Sequence, residues 1–228
     1  MAVAVPLRLR AIAILDRLLE HYGKPEWRTP LAPVDELVST ILSQNTNDRN
    51  RDVAFYNLKV KYADWKDLLK APVTEVIAAI RPAGLANQKA PRIQQVLNEI
   101  LTETGDLDLS FLSALPREDV RKWLMKFNGV GPKTAAIVMQ FSLNMPAFPV
   151  DTHIYRVTGR LGLRQEKITV EDAHILMEEM IPPEYYYEGH LNLIRLGREI
   201  CTARKAMCEV CPICDLCEYG IRNKCGQN

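Results

Sequence analysis

The sequence predicts an all-α protein, and three observations lead to that prediction. Apolar residues recur at three- and four-residue spacing along most of the chain. No stretch of similar length alternates apolar and polar residues with the period of two that marks a strand. Proline and glycine separate the periodic segments, as expected for short connections between helices. The expected helices centre on Leu7–Leu19, Val34–Leu42, Val53–Leu58, Val76–Ile80, Ile93–Ile100, Val120–Phe127, Ala135–Phe141, Ile154–Leu161, Ala173–Met180 and Leu191–Ile200.

The composition is that of a folded globular protein, with 228 residues, 47% hydrophobic and 25% charged. The formal net charge of +1 neither requires nor excludes nucleic acid, because DNA binding depends on a local basic face. The N-terminal segment is interrupted by Pro6, Arg8 and Arg10, which argues against a secretory signal. No window approaches the ~20 apolar residues that span a bilayer. We therefore expect an intracellular protein without membrane contact, in the cytoplasm or nucleoid if the cell is prokaryotic.

A glycine hairpin lies between two of the expected helices, at Gly129-Val130-Gly131. Glycine can adopt positive φ without a Cβ penalty, and proline suits the first helical position, here Pro132. The free backbone N–H groups at such a helix start can bind a DNA phosphate without reading base sequence. A plain turn between packed helices is the alternative interpretation.

Lys133 follows in the first turn of the helix that begins after the hairpin. An amine near the positive end of a helix is less readily protonated, and a neutral lysine is a nucleophile. A surface position or a phosphate contact is the alternative role for Lys133.

Asp151 precedes a helical segment, which predicts an N-cap role. A carboxylate there can also stabilise a cationic transition state or transfer a proton. His153, two residues later, is expected to be structural.

The cysteines predict a local metal site, because all six lie in the last 28 residues and a secreted disulfide framework would distribute them. Two sets of four cysteines could supply the ligands. In the wider set the intervals between ligands are six, two and five residues, and in the denser set every interval is two residues. Four thiolates can hold either a [4Fe-4S] cluster or zinc. The basic residues Arg204 and Lys205 lie inside the first interval and could face DNA. The wider set is Cys201, Cys208, Cys211 and Cys217; the denser set is Cys208, Cys211, Cys214 and Cys217.

These features together resemble endonuclease III, the bifunctional DNA glycosylase and abasic-site lyase of base excision repair. The resemblance covers nearly the whole chain. It rests on Ile41–Thr46, on Gly129–Ala135, on Val150–Val157 and on the Cys201-x6-Cys208-x2-Cys211-x5-Cys217 tail.

The resemblance implies two helical domains with the active cleft between them. Residues 29–145 would form a six-helix domain with the helix-hairpin-helix motif. Residues 1–28 and 146–228 would form the domain that holds a [4Fe-4S] cluster. The implied cluster ligands are Cys201, Cys208, Cys211 and Cys217, which leaves Cys214 and Cys225 spare.

The resemblance also implies a mechanism and a substrate. Lys133 would attack C1′ of the damaged nucleotide, expel the base and form a Schiff base that leads to β-elimination, with Asp151 as the partner carboxylate. The substrates would be oxidised pyrimidines extruded from damaged double-stranded DNA by a monomeric enzyme. Asn45 lies where the family often has glutamine, and Leu85 where it has an apolar wedge. The residues expected at the DNA are Gly129, Gly131, Gln44, Asn45, Leu85, Arg204 and Lys205.

Three alternatives remain at this point. A monofunctional mismatch glycosylase would activate water instead of a lysine; Gln44-Asn45-Thr46 leans towards the Gln-Gln-Thr of the adenine-removing branch, but Lys133 argues against it. A non-catalytic iron-sulfur DNA-binding module would keep the hairpin and the cluster without base chemistry. A zinc-stabilised helical scaffold would contain zinc and no iron.

Overall fold

The computed structural model describes residues 3–223, and within that range it contains α-helices, short 3-10 turns and no β-strand. The all-α prediction is confirmed. The chain divides into two compact units. Residues 30–145 form one, named here the hairpin unit, and the residues up to Thr29 together with those from Pro146 onward form the other, named the cysteine unit.

The hairpin unit contains seven α-helices, one more than the six expected. Proline begins α2 and α8, where a missing N–H costs no hydrogen bond. Asn47 and Asp64 cap α3 and α4 by accepting from backbone N–H groups at 2.9 and 2.8 Å. The helices are α2 (Pro33–Ser43), α3 (Asp48–Lys61), α4 (Trp65–Lys70), α5 (Val73–Ile80), α6 (Ala86–Thr104), α7 (Arg117–Met125) and α8 (Pro132–Phe141).

The core of the hairpin unit is built around α2, which packs against α3, α6 and α8. Leu37, Val38, Ile41 and Leu42 of this helix are buried. Burial of almost every side chain of α2 places its C-terminal end, and the loop that follows, in a fixed position.

The cysteine unit has its own core, in which α9 packs against α11 and α1 packs against α11 and α10. Ile14, Leu18, Ile154 and Val157 are fully buried there, as is Phe148 of the segment before α9. The helices are α1 (Val5–Tyr22), α9 (Thr152–Leu161), α10 (Val170–Met180), α11 (Tyr186–Glu199) and α12 (Glu218–Asn223).

The ten expected helices all occur, and the two that the sequence did not indicate are α4 and α12. Each is six residues long. Fewer than two helical turns cannot show a 3.6-residue period, which explains why periodicity missed both. Among residues 3–223, every helix is too short or too polar to cross a membrane.

Candidate catalytic hairpin and cysteine cavity

The predicted hairpin connects α7 to α8, and only one of its two glycines needs to be glycine for its backbone conformation. Gly129 has φ +88°, whereas Gly131 has φ −91° and ψ −179°, an extended conformation open to any residue. The N–H of Val130 donates to the carbonyl of Phe127 at 3.0 Å and closes the turn. Gly131 is then the N-cap of α8, whose first-turn N–H groups have no intrahelical partner.

Gly129 also lies close to a side chain that the sequence did not connect with the hairpin. A Cβ on Gly129 would overlap the Arg92 side chain from α6. Arg92 donates to Oε1 of Gln44 at 3.4 Å, and Nε2 of Gln44 donates to the carbonyl of Gly129 at 3.3 Å. The Gln44 side chain therefore links the loop after α2 to the hairpin, although 85 residues separate Gln44 from Gly129.

Lys133 lies in the first turn of α8, directly after Pro132, and is half-buried. The hairpin before it and the buried residues after it, Thr134 and Ala135, hold its Cα in place. The backbone of Lys133 therefore belongs to the helix start, whose N–H groups attract anions such as phosphate.

Asn45 and Leu85 share an unusual backbone conformation. They have φ values of +52° and +50°, in the left-handed region, which costs a residue with a Cβ roughly 1 kcal/mol. Both side chains are exposed, and 47% of the Leu85 surface is accessible to solvent. A left-handed conformation at a residue with a Cβ persists only where the surrounding structure holds the backbone.

Asp151 caps α9, as predicted. Its Oδ1 accepts from the N–H of Ile154 at 2.8 Å, and the residue is half-buried. Oδ2 is left for other interactions by this cap. Lys133 and Asp151 belong to different units of the chain, the hairpin unit and the cysteine unit.

The segment before Asp151 is held by three polar side chains that the sequence did not single out. Glu178 accepts from the N–H of Phe148 at 3.0 Å, and Nδ1 of His190 lies 2.9 Å from the carbonyl of Pro149. Nε2 of His174 accepts from the N–H of Val150 at 2.9 Å. Both histidines are buried. The backbone that carries Asp151 is therefore fixed from α10 and α11.

His153 has a structural role, in line with its expected one. Its Nδ1 lies 3.2 Å from the guanidinium of Arg156, which donates to the carbonyls of Gly197 at 2.8 Å and Cys201 at 3.2 Å. These bonds tie α9 to the end of α11 and to the first cysteine.

The C-terminal cysteines surround one cavity in the cysteine unit. Cys201, Cys208, Cys211, Cys214 and Cys217 line it, together with Arg160 and Tyr219. Within residues 3–223, no three His, Cys, Asp or Glu side chains converge closely enough to hold a single metal ion. The cysteines in that range that lie outside disulfides are those of the wider spacing, Cys201, Cys208, Cys211 and Cys217; Cys225 lies outside the described residues.

Hydrogen-bond donors face the sulfur atoms of two of these thiols. Nη1 of Arg160 donates to Sγ of Cys201 at 3.2 Å, and the N–H of Gly220 donates to Sγ of Cys217 at 3.3 Å. Such donors stabilise thiolates that ligate a cluster.

Burial disfavours the thiolate form of two of these cysteines. Burial, with smaller contributions from Cys201, Cys217 and Cys208, raises the pKa of Cys211 to about 11, although a hydrogen bond from the backbone of Ile213 opposes the rise. Burial raises the pKa of Cys217 as well. A bound metal reverses this preference, because a cation deprotonates the thiol that it coordinates.

The loop between the first two cysteines is organised and presents its basic residues to solvent. Thr202 Oγ1 donates to the carbonyl of Lys205 at 2.7 Å, and Arg160 donates to the carbonyl of Thr202 at 2.7 Å. Arg204 and Lys205 are exposed. The loop can thus offer two positive charges without losing its own hydrogen bonds.

Comparisons with known proteins agree with this geometry. The family model described as "HhH-GPD superfamily base excision DNA repair protein" matches residues 38–183. A putative DNA glycosylase of Arabidopsis thaliana, At3g47830, is 37% identical over 169 residues, which are 74% of this chain and 57% of that protein. The chain thus spans little more than half of that relative.

Two further likenesses cover more of both chains. Endonuclease III of Sulfolobus acidocaldarius is 35% identical over 189 residues, 82% of each protein. The solved structure of a trapped endonuclease III–DNA covalent intermediate, an estranged-adenine complex, superposes with a TM-score of 0.81 at 29% identity and covers 94% of this chain and 97% of that one. The hairpin, the capped aspartate and these likenesses lead to one conclusion: the chain belongs to the endonuclease III family, within the HhH-GPD superfamily of base excision DNA repair glycosylases.

Proposed function

We propose that this glycosylase is bifunctional: it removes oxidised pyrimidine bases from duplex DNA and then cleaves the strand by β-elimination. The observation that carries the proposal is the lysine in the first turn of α8, directly after the glycine hairpin. A monofunctional enzyme needs an activated water and no amine at this position. The half-buried Lys133 supplies an amine from the same helical turn that offers its N–H groups to a phosphate.

The catalytic roles follow from this assignment. The Lys133 amine attacks C1′ of the damaged nucleotide, and the bond from C1′ to the base breaks. The base leaves with a proton, and breaking of the C1′–O4′ bond opens the sugar to give a Schiff base. Loss of a proton from C2′ of this Schiff base then expels the 3′ phosphate by β-elimination. Asp151 is the carboxylate that acts together with Lys133. Its Oδ1 accepts the hydrogen bond of the helix cap, so Oδ2 is the oxygen proposed for this role.

We assign the DNA contacts to residues of known exposure and conformation. The N–H groups at Gly129 and Gly131 hold a backbone phosphate. Asn45 and Leu85 occupy the gap that the extruded base leaves, which suits their exposed positions, and Gln44 is a further DNA-binding residue beside Asn45. Arg204 and Lys205 neutralise phosphates, a contact that carries affinity but no sequence preference.

A [4Fe-4S] cluster held by Cys201, Cys208, Cys211 and Cys217 is the cofactor that we propose. The donor set fits, because these four cysteines lie outside disulfides and line one cavity. Their x6, x2 and x5 spacing is the one that the resemblance to endonuclease III implies for the ligands of a cluster. When bound, the cluster would cross-link the C-terminal segment and hold the basic loop in position.

The proposed partner is damaged double-stranded DNA, bound by a monomer. A genomic substrate favours an intracellular location, which is the cytoplasm or nucleoid if the cell is prokaryotic. We assign residues 29–145 to the domain that carries the helix-hairpin-helix motif, and residues 1–28 with 146–228 to the domain that holds the cluster.

Borohydride trapping tests the mechanism. Duplex DNA with one thymine glycol or one abasic site is incubated with the wild-type protein, with Lys133→Ala and with Lys70→Ala, a control at a lysine that is 77% exposed in the same unit. We expect a covalent adduct with the wild type and with Lys70→Ala, and none with Lys133→Ala.

Other outcomes would change the assignment. Base release without an adduct in the wild type would replace the proposal with a monofunctional glycosylase, for which a parallel set of mismatched duplexes would identify the substrate. Duplex binding with neither release nor adduct would leave a non-catalytic DNA-binding module. An adduct that persists in Lys133→Ala would show that another amine is the nucleophile.

A further inference from the structure

A buried lysine in the hairpin unit has no role in the proposed chemistry. The side chain of Lys89, in the first turn of α6, is 2% exposed. Its Nζ donates to the carbonyl of Leu42 at 2.7 Å and to the carbonyl of Ala83 at 2.8 Å. Burying an ammonium group is costly, and a cation in the first turn of a helix is opposed by the helix dipole. The hydrophobic effect alone therefore does not explain why a lysine occupies this buried position.

The two carbonyls lie at the ends of helical segments. Leu42 is in the last turn of α2, and Ala83 is the last residue of a short 3-10 turn, Arg81–Ala83. Carbonyls at such ends lack partners within the helix, and a cation is favourable at a helix C-terminus. One ammonium group therefore donates a hydrogen bond to a carbonyl at each of two helix ends and fixes the distance between these ends.

Each of these two helix ends leads directly into a loop that contains a residue in the left-handed conformation. Three residues after Leu42 comes Asn45, and two residues after Ala83 comes Leu85, both left-handed and both exposed. These conformations persist only where the surrounding structure holds the backbone. The two hydrogen bonds of Lys89 hold the backbone just before both loops, and its own side chain is buried.

We propose that Lys89 is a positioning residue that sets the spacing of Asn45 and Leu85, so that both side chains enter the gap left by one extruded base. The proposal rests on the proposed function, which assigns those two side chains to the gap. Lys89 acts only through the loops and touches no substrate.

The test compares base extrusion with chemistry that needs no extrusion. Lys89→Met replaces the ammonium with an apolar group of similar length. We expect the single-turnover rate on a duplex with one thymine glycol to fall between about tenfold and 100-fold, as displaced contacts in other enzymes do. Adduct formation with an abasic site in single-stranded DNA, where no gap has to be filled, should stay within about twofold of the wild type.

A double-mutant cycle separates positioning from general destabilisation. In the Leu85→Ala background, where the apolar side chain is already absent, Lys89→Met should change the duplex rate by less than about twofold, because residues that act together are not additive. Lys89→Gln keeps two N–H donors and should give an intermediate duplex rate. It also replaces Lys89→Met in every comparison if the methionine variant does not fold.

Several results would overturn the proposal. The first is an unchanged rate of Lys89→Met on duplex DNA, and the second is an equal loss of rate on duplex and single-stranded DNA. The third is an equal loss of rate with Leu85 and with Leu85→Ala. The fourth is failure of both Lys89 variants to fold, which would leave Lys89 only a stabilising role. Absence of base release and adduct in the wild type would instead refute the proposed function itself.

Discussion

Gly129 and Gly131 occupy the same hairpin but are predicted to tolerate alanine very differently. Gly129→Ala places a Cβ at φ +88° and displaces Arg92, and with it the bond to Gln44. We expect a loss of about 1–3 kcal/mol in the free energy of unfolding. Gly131→Ala meets nothing within 4 Å at an ordinary φ and should stay within about 0.5 kcal/mol. Urea unfolding of the two variants measures both values.

The hairpin pair is a matched comparison, since both changes add one methyl group within three residues. Equal stabilities of the two variants would contradict the conformation described for Gly129. A larger loss in Gly131→Ala would contradict the extended conformation of that residue.

Lys89 should also give the protein an alkaline pH dependence. Burial lowers the pKa of Lys89 below its ordinary value of 10.5. Between the folded and unfolded pKa values the unfolded chain binds more protons, so the contribution of Lys89 to the free energy of unfolding rises with pH in that window. Below the folded pKa this contribution does not vary with pH.

The measurement is the difference in unfolding free energy between the wild type and Lys89→Met, from neutral pH to about 10.5. Subtracting the variant removes the titration of other groups. We expect the difference to increase with pH in favour of the wild type. A difference that is flat or falls towards alkaline pH would show that the ammonium is not destabilised by burial.

At the scale of the element, the start of α9 combines a structural and a proposed chemical role in one carboxylate. Asparagine caps helices about as well as aspartate, whereas alanine does not. Asp151→Asn should therefore keep the free energy of unfolding within about 0.5 kcal/mol, and Asp151→Ala should lose about 1 kcal/mol. Both should lose about 100-fold or more in the rate of base release, because only the carboxylate carries charge.

Thermal unfolding and single-turnover base release separate the two roles. Full activity in Asp151→Asn would restrict Asp151 to capping. The buried support of this element matters here, because Glu178, His174 and His190 hold the preceding backbone in both variants. A change in rate is then attributable to the carboxylate itself.

At the scale of the whole molecule, the two units should respond differently to loss of the proposed cluster. All four proposed ligands belong to the cysteine unit. Chelation of iron should therefore increase amide hydrogen exchange in residues 146–223 and leave residues 30–145 close to their original protection, because metal binding contributes to folding only where its ligands lie. Exchange read by mass spectrometry measures both ranges.

The matched control for this prediction is Cys214→Ser. Cys214 lines the same cavity but is not among the four cysteines that lie outside disulfides. The Cys214→Ser variant should retain about four iron atoms per chain. Replacement by serine of any one proposed ligand, Cys201, Cys208, Cys211 or Cys217, should lower the iron content. Full iron retention in Cys208→Ser, or a colourless protein with zinc, would refute the cluster assignment.

The sequence by itself determined the features that depend on neighbouring residues. Periodicity revealed ten helices, glycine and proline revealed the hairpin, and an aspartate before a helix revealed the cap that the structure contains. Each of these patterns spans a few turns at most, so its physical cause lies in the same short stretch of chain.

Only the tertiary structure decided which distant polar groups meet. Lys89 reaches Leu42 across 47 residues, Gln44 reaches Gly129 across 85, and the N–H of Val150 reaches His174 across 24. Such partners depend on how helices pack, because a buried donor bonds to whichever acceptor packing brings near it. The sequence thus revealed the hairpin, the lysine and the capped aspartate, while packing determined how the surrounding loops are held.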